Sequence, residues 1–176
     1  YANLLLNLPA GEAGRRYVAE RGLTRETVER FSLGFAPEGW DTLTRHLLSR
    51  GHSEQQLIEA GLASERDSGG GIYDRFRARL LFPIRNRDGK IVGFGGRALG
   101  DARPKYLNTA QTSVFDKSAN LYAIDLAKDA IRKADSAVIV EGYMDAIMAH
   151  QVGHANVVAS MGTALTESQV GLLKRL

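Results

Sequence analysis

Cysteine is missing from the 176 residues, which excludes disulfides, thiolate nucleophiles and Cys-ligated zinc or iron sites within this chain. No apolar run approaches the roughly 18 residues that a bilayer span needs. The opening YANLLLNLPAGEAGRR has neither the charged start nor the long apolar middle of a secretion signal. The expectation is a cytoplasmic protein without membrane contact, and tyrosine as the first residue suggests a piece of something longer. Several catalytic signatures are absent too. There is no G-x-x-x-x-G-K-[ST] phosphate loop and no serine in a nucleophile-elbow context. Of the four histidines, His46 and His52 are scattered. His150 and His154 stand four apart, but Gly153 between them marks a helix end, so both read as surface residues rather than as a zinc pair.

What is present is ordinary for a globular chain, 44% hydrophobic and 24% charged, and long enough for one domain plus part of another. The net charge of +3 is small, but it is segregated. Between Tyr73 and Lys117 stand ten Lys or Arg against four acids, a local balance of +6, while the remainder carries 13 basic and 16 acidic residues. A basic segment between acidic flanks is what a polyanion-binding surface leaves in a sequence, although a solvated Arg-rich hairpin leaves the same trace.

The first sixty residues read as short helices joined by glycines. Ala13 to Arg21 is one, and Thr24 caps a second that runs through Phe31 and stops at Gly34. Asp41 caps a third, with Leu43, Leu47 and Leu48 as its apolar stripe, and Ser53 with Gln56 makes a capping box for a fourth carrying Leu57 and Ile58. A flexible stretch, SERDSGGG, follows over Ser64 to Gly71. LLFPIRN and KIVGFGGRAL, separated by Arg87-Asp88-Gly89, then predict a β-hairpin. Leu121, Ile124, Ala127 and Ile131 predict a helical face, Ala137 to Val140 a buried parallel strand, and Ala155 to Ala159 a second one. Thr166 caps a terminal helix. The β-α-β-α order makes the last forty residues the opening of a doubly wound α/β domain, whose ligand crevice lies beyond the carboxyl ends of its strands.

Two segments can carry chemistry. In AVIVEGYMD, Glu141 sits where a buried strand ends, Gly142 permits a tight turn, and Asp145 follows one helical turn later. Two carboxylates there could hold Mg²⁺, one could act as a general acid or base, or both could merely offset a helix dipole. In GFGGRALGDARPKYLN, Gly93, Gly95 and Gly96 could let the backbone approach a ligand while Arg97 and Lys105 meet phosphates, Tyr106 stacks on a base and Asn108 hydrogen-bonds a sugar or base. The same glycines could mark only a bulged strand.

The series RGLTRETVERFSLGFAPEGW, YDRFRARLLFPIRNRDGKIVGFGGRAL, PKYLNTAQTSVF, EGYMDAIMAHQVG and VASMGTALTESQ, in that order from about Gly14 to the end, resembles the RNA-polymerase core of bacterial DnaG-type DNA primases. The resemblance implies an α/β fold: an α+β N-terminal subdomain over 1–133, helical over 1–63 and basic and strand-rich over 72–119, then a partial TOPRIM domain over 134–176. It implies template-directed synthesis of short RNA primers on single-stranded DNA. Glu141 then falls at the catalytic centre, with Asp145 beside it in the neighbourhood of Mg²⁺ or Mn²⁺. Arg97, Lys105, Tyr106, Asn108 and Lys117 match nucleotide-binding positions, and Arg21, Arg75 and Arg77 match basic positions that face nucleic acid with Arg97 and Lys105.

The implied partners are single-stranded DNA, ribonucleoside triphosphates, an RNA-DNA hybrid and, through a C-terminal region outside this chain, the replicative helicase, at the bacterial replication fork. Three departures stand out. After Asp145 only Glu167 is acidic, so the D-x-D motif expected downstream of the glutamate is missing. No zinc domain is present, and zinc is not expected. Ser118 replaces the usual glycine after Lys117. The piece is therefore expected to bind single-stranded DNA without making primers. The alternatives are a non-catalytic single-stranded nucleic-acid-binding module, or another TOPRIM enzyme, a topoisomerase or nuclease, although none of the six tyrosines sits in a context that identifies a cleavage nucleophile.

Overall fold

The computed structural model describes residues 1–67, 69–162 and 164–176. The loop expected over Ser64 to Gly71 includes Ser68, which lies outside the described residues. Helices α1 (Ala2–Asn7), α2 (Glu12–Glu20) and α3 (Arg25–Arg30) lead into strand β1 (Gly34–Ala36). Thr24 caps α3 as expected, its side chain accepting from the Thr27 amide at 3.2 Å. Gly34 does not stop this helix. The chain turns at Ser32, whose φ of 53° is left-handed, and Gly34 opens β1. A Cβ at Gly34 would lie 2.6 Å from the Tyr1 Cβ, so the glycine admits the N-terminal segment against the strand.

Helices α4 (Thr42–Leu48) and α5 (Glu54–Glu59) flank a small hairpin, β2 (Ala63–Glu65) with β3 (Ile72–Asp74). The Ser53 and Gln56 capping box of α5 is formed. Asp41, expected to cap α4, pairs with Arg45 at 2.7 Å instead. The cap comes from β3. Asp74, 2% exposed, accepts from the amides of Leu43 at 2.7 Å and Thr44 at 2.8 Å and from the Thr44 hydroxyl at 2.6 Å. The leucine stripe of α4 is correspondingly shallow: Leu43 and Leu47 are half-buried, Leu48 is exposed, and Thr44 is the buried residue. The segment read as flexible begins with strand β2, so it is largely the turn of this hairpin.

The main sheet is antiparallel, with order β1, β4 (Arg79–Arg85), β5 (Ile91–Ala98), β6 (Tyr106–Asn108). The β4 and β5 hairpin matches the expectation. Its turn is organised by Asn86, whose Oδ1 accepts from the amides of Asp88 and Lys90 at 3.0 Å, with Gly89 at φ 81°. Ile84 faces Gly93 while Arg85 faces Ile91, so the strand bulges at Val92.

The C-terminal portion comprises α6 (Ile124–Ala134), β7 (Val138–Val140), α7 (Tyr143–Gln151), β8 (Val157–Ala159) and α8 (Glu167–Lys174), with β7 parallel to β8. Leu121, Ile124, Ala127 and Ile131 pack against Val158. The apolar run of β7 is not fully buried as expected: Val138 is 49% and Ile139 38% exposed, because among the described residues β7 pairs on one edge only. His150 also departs from expectation. It is buried, with Nε2 2.8 Å from the Val157 carbonyl oxygen and its ring edge-on to Phe31. No helix among the described residues is long and apolar enough to cross a membrane.

The two portions share one core. Phe82 of β4 stacks on Tyr143 of α7 at 4.7 Å between centroids and 5° between planes, and Tyr122 meets Tyr143 edge-on at 4.8 Å. Gln151 clamps the α2 to α3 turn, accepting from the Thr24 amide at 2.9 Å and donating to the Gly22 carbonyl at 2.8 Å. The sheet that carries the basic residues is thus packed directly on the helix that carries Asp145.

Candidate active-site cleft and adjoining basic surface

Strand β7 ends at Val140, and the chain enters α7 through Glu141 and Gly142. The glycine is not required by its conformation, since its φ is −118°. It leaves room for a side-chain cap. The Asp145 Oδ2 accepts from the Gly142 amide at 3.2 Å, and a Cβ on Gly142 would come within 2.9 Å of that oxygen. One Asp145 oxygen therefore caps its own helix. Glu141 precedes the helix, so the two carboxylates do not stand one helical turn apart, as the spacing predicted, but they line the same cleft. The loop after β8 closes that edge. The Gly162 amide donates to the Glu141 carbonyl at 3.1 Å, and both Met161 and Gly162 are left-handed, with φ of 63° and 78°.

The cleft measures 420 Å³, and Tyr106, Asn108 and Lys117 line it together with the carboxylates. Tyr106 and Asn108 come from β6, which pairs with Gly95 to Arg97 of β5. The glycines of β5 do not face a ligand. A Cβ on Gly95 would lie 2.3 Å from the Tyr143 hydroxyl oxygen, one on Gly96 2.9 Å from Phe76, and one on Gly93 3.2 Å from Phe115 and Thr109. They are small because neighbouring side chains occupy the space. Above Gly95, the Tyr143 hydroxyl donates to the Asn108 Oδ1 at 2.7 Å, while Arg75 donates to the Asn108 backbone carbonyl at 2.9 Å.

Lys117 opens a single 3₁₀ turn, Lys117–Ala119. The turn is braced by Asp116, which accepts from the Ser118 amide at 2.8 Å and from its hydroxyl at 2.7 Å, and these bonds hold the exposed carboxyl below its ordinary range. Ser118 has no positive φ, so serine fits where the resemblance implies glycine. Burial pushes the Lys117 ammonium below its ordinary pKa. Tyr106 is 46% exposed and leaves its ring accessible.

Arg97 and Lys105 line a second cleft of 580 Å³ together with Arg16, Tyr17 and Arg103. Tyr17 is the hub. The Arg97 guanidinium carbon lies 4.4 Å and that of Arg21 5.2 Å from its ring centroid. Arg97 is also 5.9 Å from the Tyr106 ring, so Tyr106 connects the two clefts. Arg75 sits behind Asn108; burial lowers its pKa, and its Nε has no hydrogen-bond partner among the described residues. Arg77 is elsewhere, stacked on Trp40 at 4.0 Å, with Tyr73 and Arg66 beside it. Of the ten predicted site residues, Glu141, Asp145, Tyr106, Asn108 and Lys117 meet in the cleft. Arg21, Arg97 and Lys105 adjoin it, Arg75 supports it, and Arg77 stands apart.

Sequence reading missed Tyr143, Tyr17, Met161 and Gly162. The last two could have been found by the rule that placed Glu141, because they too follow the carboxyl end of a strand. No sequence signal marked the tyrosines, whose partners lie in distant segments. Among the described residues no group of three or more His, Asp or Glu could hold a metal ion.

A family model described as the DNA primase catalytic core, N-terminal domain, matches residues 1–128, and a Toprim domain model matches residues 135–176. A curated DNA primase of Deinococcus radiodurans is 51% identical over 160 residues, which is 91% of this chain and 28% of that protein. The chain thus spans less than a third of that relative's length. The crystal structure of the RNA polymerase domain of Mycobacterium tuberculosis primase DnaG superimposes with a TM-score of 0.93 and 41% identity, covering 99% of this chain and 57% of that one. The structure of a DnaG primase catalytic domain bound to ssDNA gives a TM-score of 0.89 at 40% identity, covering 99% and 56%.

Proposed function

The chain belongs to the bacterial DNA primase catalytic-core family, and from that premise we propose that its cleft holds a ribonucleotide for template-directed primer synthesis on single-stranded DNA. One observation carries the reading: two carboxylates at the carboxyl edge of a parallel sheet and a lysine, an exposed tyrosine and an asparagine line the same 420 Å³ cleft. In this reading Lys117 balances phosphate charge, Tyr106 offers a face to a base, and Asn108 offers an amide. Arg97, Lys105 and Arg21 extend the cationic surface along which template or hybrid backbone lies, and Arg75 fixes the strand that carries Asn108. Arg77 with Trp40 belongs to a more distant part of the nucleic-acid path. The setting is the bacterial cytoplasm at the replication fork, with the replicative helicase as partner of the whole protein.

The donor set suits Mg²⁺. Glu141 and Asp145 are exposed hard-oxygen donors, neither in an ion pair among the described residues, and Mg²⁺ characteristically takes one or two carboxylates and completes its shell with water and substrate phosphates. When bound, the metal supplies charge neutralisation at the reacting phosphate and lowers the pKa of a coordinated hydroxyl. The chain's own part is to hold and orient. Lys117 and the arginines keep the triphosphate in place, so that a primer 3′-hydroxyl can displace pyrophosphate from the α-phosphorus. With no D-x-D motif downstream of Glu141 in its sequence, the 176-residue piece is expected to bind single-stranded DNA without extending a primer.

The test is primer synthesis by the full-length protein on single-stranded DNA. Glu141→Gln is expected to cut the rate by about 10²-fold or more while leaving the affinity for single-stranded DNA within twofold, about the scatter expected of a residue that meets no template phosphate. Synthesis at the parental rate would show that this carboxylate is not part of the site, and leave the non-catalytic binding module as the better reading.

A further inference from the structure

The hydrogen bond from Tyr143 to Asn108 ties α7 to β6 within the cleft lining, and its polarity follows from what each group can donate. Tyr143 is 3% exposed, with its ring flat against Phe82 and its hydroxyl 2.7 Å from the Asn108 Oδ1. A phenol this deep is costly unless its proton meets an acceptor. Among the described residues Asn108 is the one acceptor bonded to it. Were the amide turned over, its NH₂ would face the hydroxyl oxygen and the phenolic proton would have nowhere to go. Burial also keeps that proton in place, since it pushes the phenol well above its ordinary pKa.

Asn108 is pinned at a second point, because Arg75 holds its backbone carbonyl at 2.9 Å. The ring of Tyr143 occupies the space that any side chain at Gly95 would need. Backbone, ring and hydroxyl are all constrained, so the amide has one orientation left, with Oδ1 on Tyr143 and Nδ2 available to the cleft. The Nδ2 makes no hydrogen bond among the described residues.

We infer that Tyr143 is a positioning residue: it locks the Asn108 amide with the NH₂ presented to the nucleotide, so that the site selects an acceptor oxygen of the ribose or of a phosphate at that point. The inference rests on the reading of the cleft as a nucleotide site. It assigns to the tyrosine of EGYMD a role in ligand recognition that acts through a residue 35 positions earlier.

The experiment is calorimetric titration of the full-length protein with ATP and Mg²⁺, for the parent, Tyr143→Phe, Asn108→Ala, the double variant and Asn108→Asp. Thermal melts accompany each one, so that binding is read well below unfolding. Tyr143→Phe keeps the stacked ring and is expected to weaken ATP about 5- to 10-fold, the size of one hydrogen bond to a ligand. The double variant should bind no more weakly than Asn108→Ala, because the tyrosine acts only through that amide. Asn108→Asp still accepts from Tyr143 but presents an anionic oxygen to the ligand, and it should bind more weakly than Asn108→Ala. A role confined to fold stability would move the melts and leave this order of affinities unmoved.

Parallel titrations with dATP distinguish the two sources of the oxygen. A contact to the ribose 2′-hydroxyl predicts that the variants lose the parent's preference for ATP, and a contact to an oxygen that both nucleotides share, a phosphate oxygen foremost, predicts equal losses for both. Parental affinity in Tyr143→Phe with weak binding in Asn108→Ala overturns the inference alone, as do multiplicative losses in the double variant. Parental affinity in Asn108→Ala overturns the reading of the cleft and the inference with it.

Discussion

Gly95→Ala adds a single methyl group, and the geometry of the core makes it a severe change. The new Cβ would lie 2.3 Å from the Cζ and hydroxyl oxygen of Tyr143 and 2.6 Å from its Cε2. The ring cannot retreat, because its other side is stacked on Phe82 at 4.7 Å and its edge meets Tyr122 at 4.8 Å. It has to tilt, and the 2.7 Å bond to Asn108 is lost. Overpacking of this kind costs about 1–3 kcal/mol, and a buried hydroxyl left without its acceptor about 1–3 kcal/mol more. Against this, alanine in a strand recovers about 0.5–1 kcal/mol of backbone entropy. The net expectation is destabilisation of about 1–5 kcal/mol, read as a lower urea midpoint with an unchanged slope. In a Tyr143→Ala background the clash has no partner, and the same substitution should cost less than about 1 kcal/mol. A Gly95→Ala protein within about 0.5 kcal/mol of the parent would show that the tyrosine ring does not occupy this space and would refute the argument that the glycine serves packing.

The remaining predictions concern the caps and the buried histidine. Asp74→Asn should destabilise by about 2–4 kcal/mol, since an amide NH₂ would be set against the amide donors of α4. Asp41→Ala, which removes only an exposed ion pair, should stay within about 0.5 kcal/mol; equal losses in urea unfolding would contradict the assignment of the cap. His150 donates from Nε2 to the Val157 carbonyl, and its Nδ1 is buried without a partner. Burial therefore pushes its pKa below the ordinary 6.5. The unfolded chain then takes up a proton before the folded one, so the histidine's contribution is complete above about pH 6.5 and is lost as the pH falls toward the depressed folded value. Melting temperatures of the parent should fall over that interval more steeply than those of His150→Gln, and parallel curves would count against the assignment.

What the sequence made legible was local. The caps at Thr24, Ser53 and Thr166 each involve residues within three positions, and all three form. The Asp88-Gly89 hairpin and the placement of Glu141 beyond an apolar strand are local in the same sense. Apart from the Glu141 and Asp145 spacing, where the helix starts later than expected, the main misreadings involve partners far along the chain. Asp74 caps a helix thirty positions earlier, and nothing near Asp41 signals that its place is taken. Gly34, Gly93, Gly95 and Gly96 look alike in sequence as turn or ligand glycines, yet each is small because a distant side chain fills its missing volume. His150 looked superficial because the helix ends beside it, although its ring points into the core under Phe31. Arg77 was grouped with Arg75 because the resemblance matches both to basic positions, but the irregular segment between β3 and β4 sends one to Asn108 and the other to Trp40.

The central claim is that the carboxylates beyond β7 and the side chains of β6 and Lys117 serve one ligand. A crystal structure of the full-length protein with Mn²⁺ and a ribonucleoside triphosphate tests it most directly. The account predicts anomalous density for Mn²⁺ on Glu141, with the triphosphate against Lys117 and the nucleoside beside Tyr106 and Asn108. A nucleotide lodged wholly among Arg16, Arg97 and Lys105, with no metal at Glu141, would contradict it.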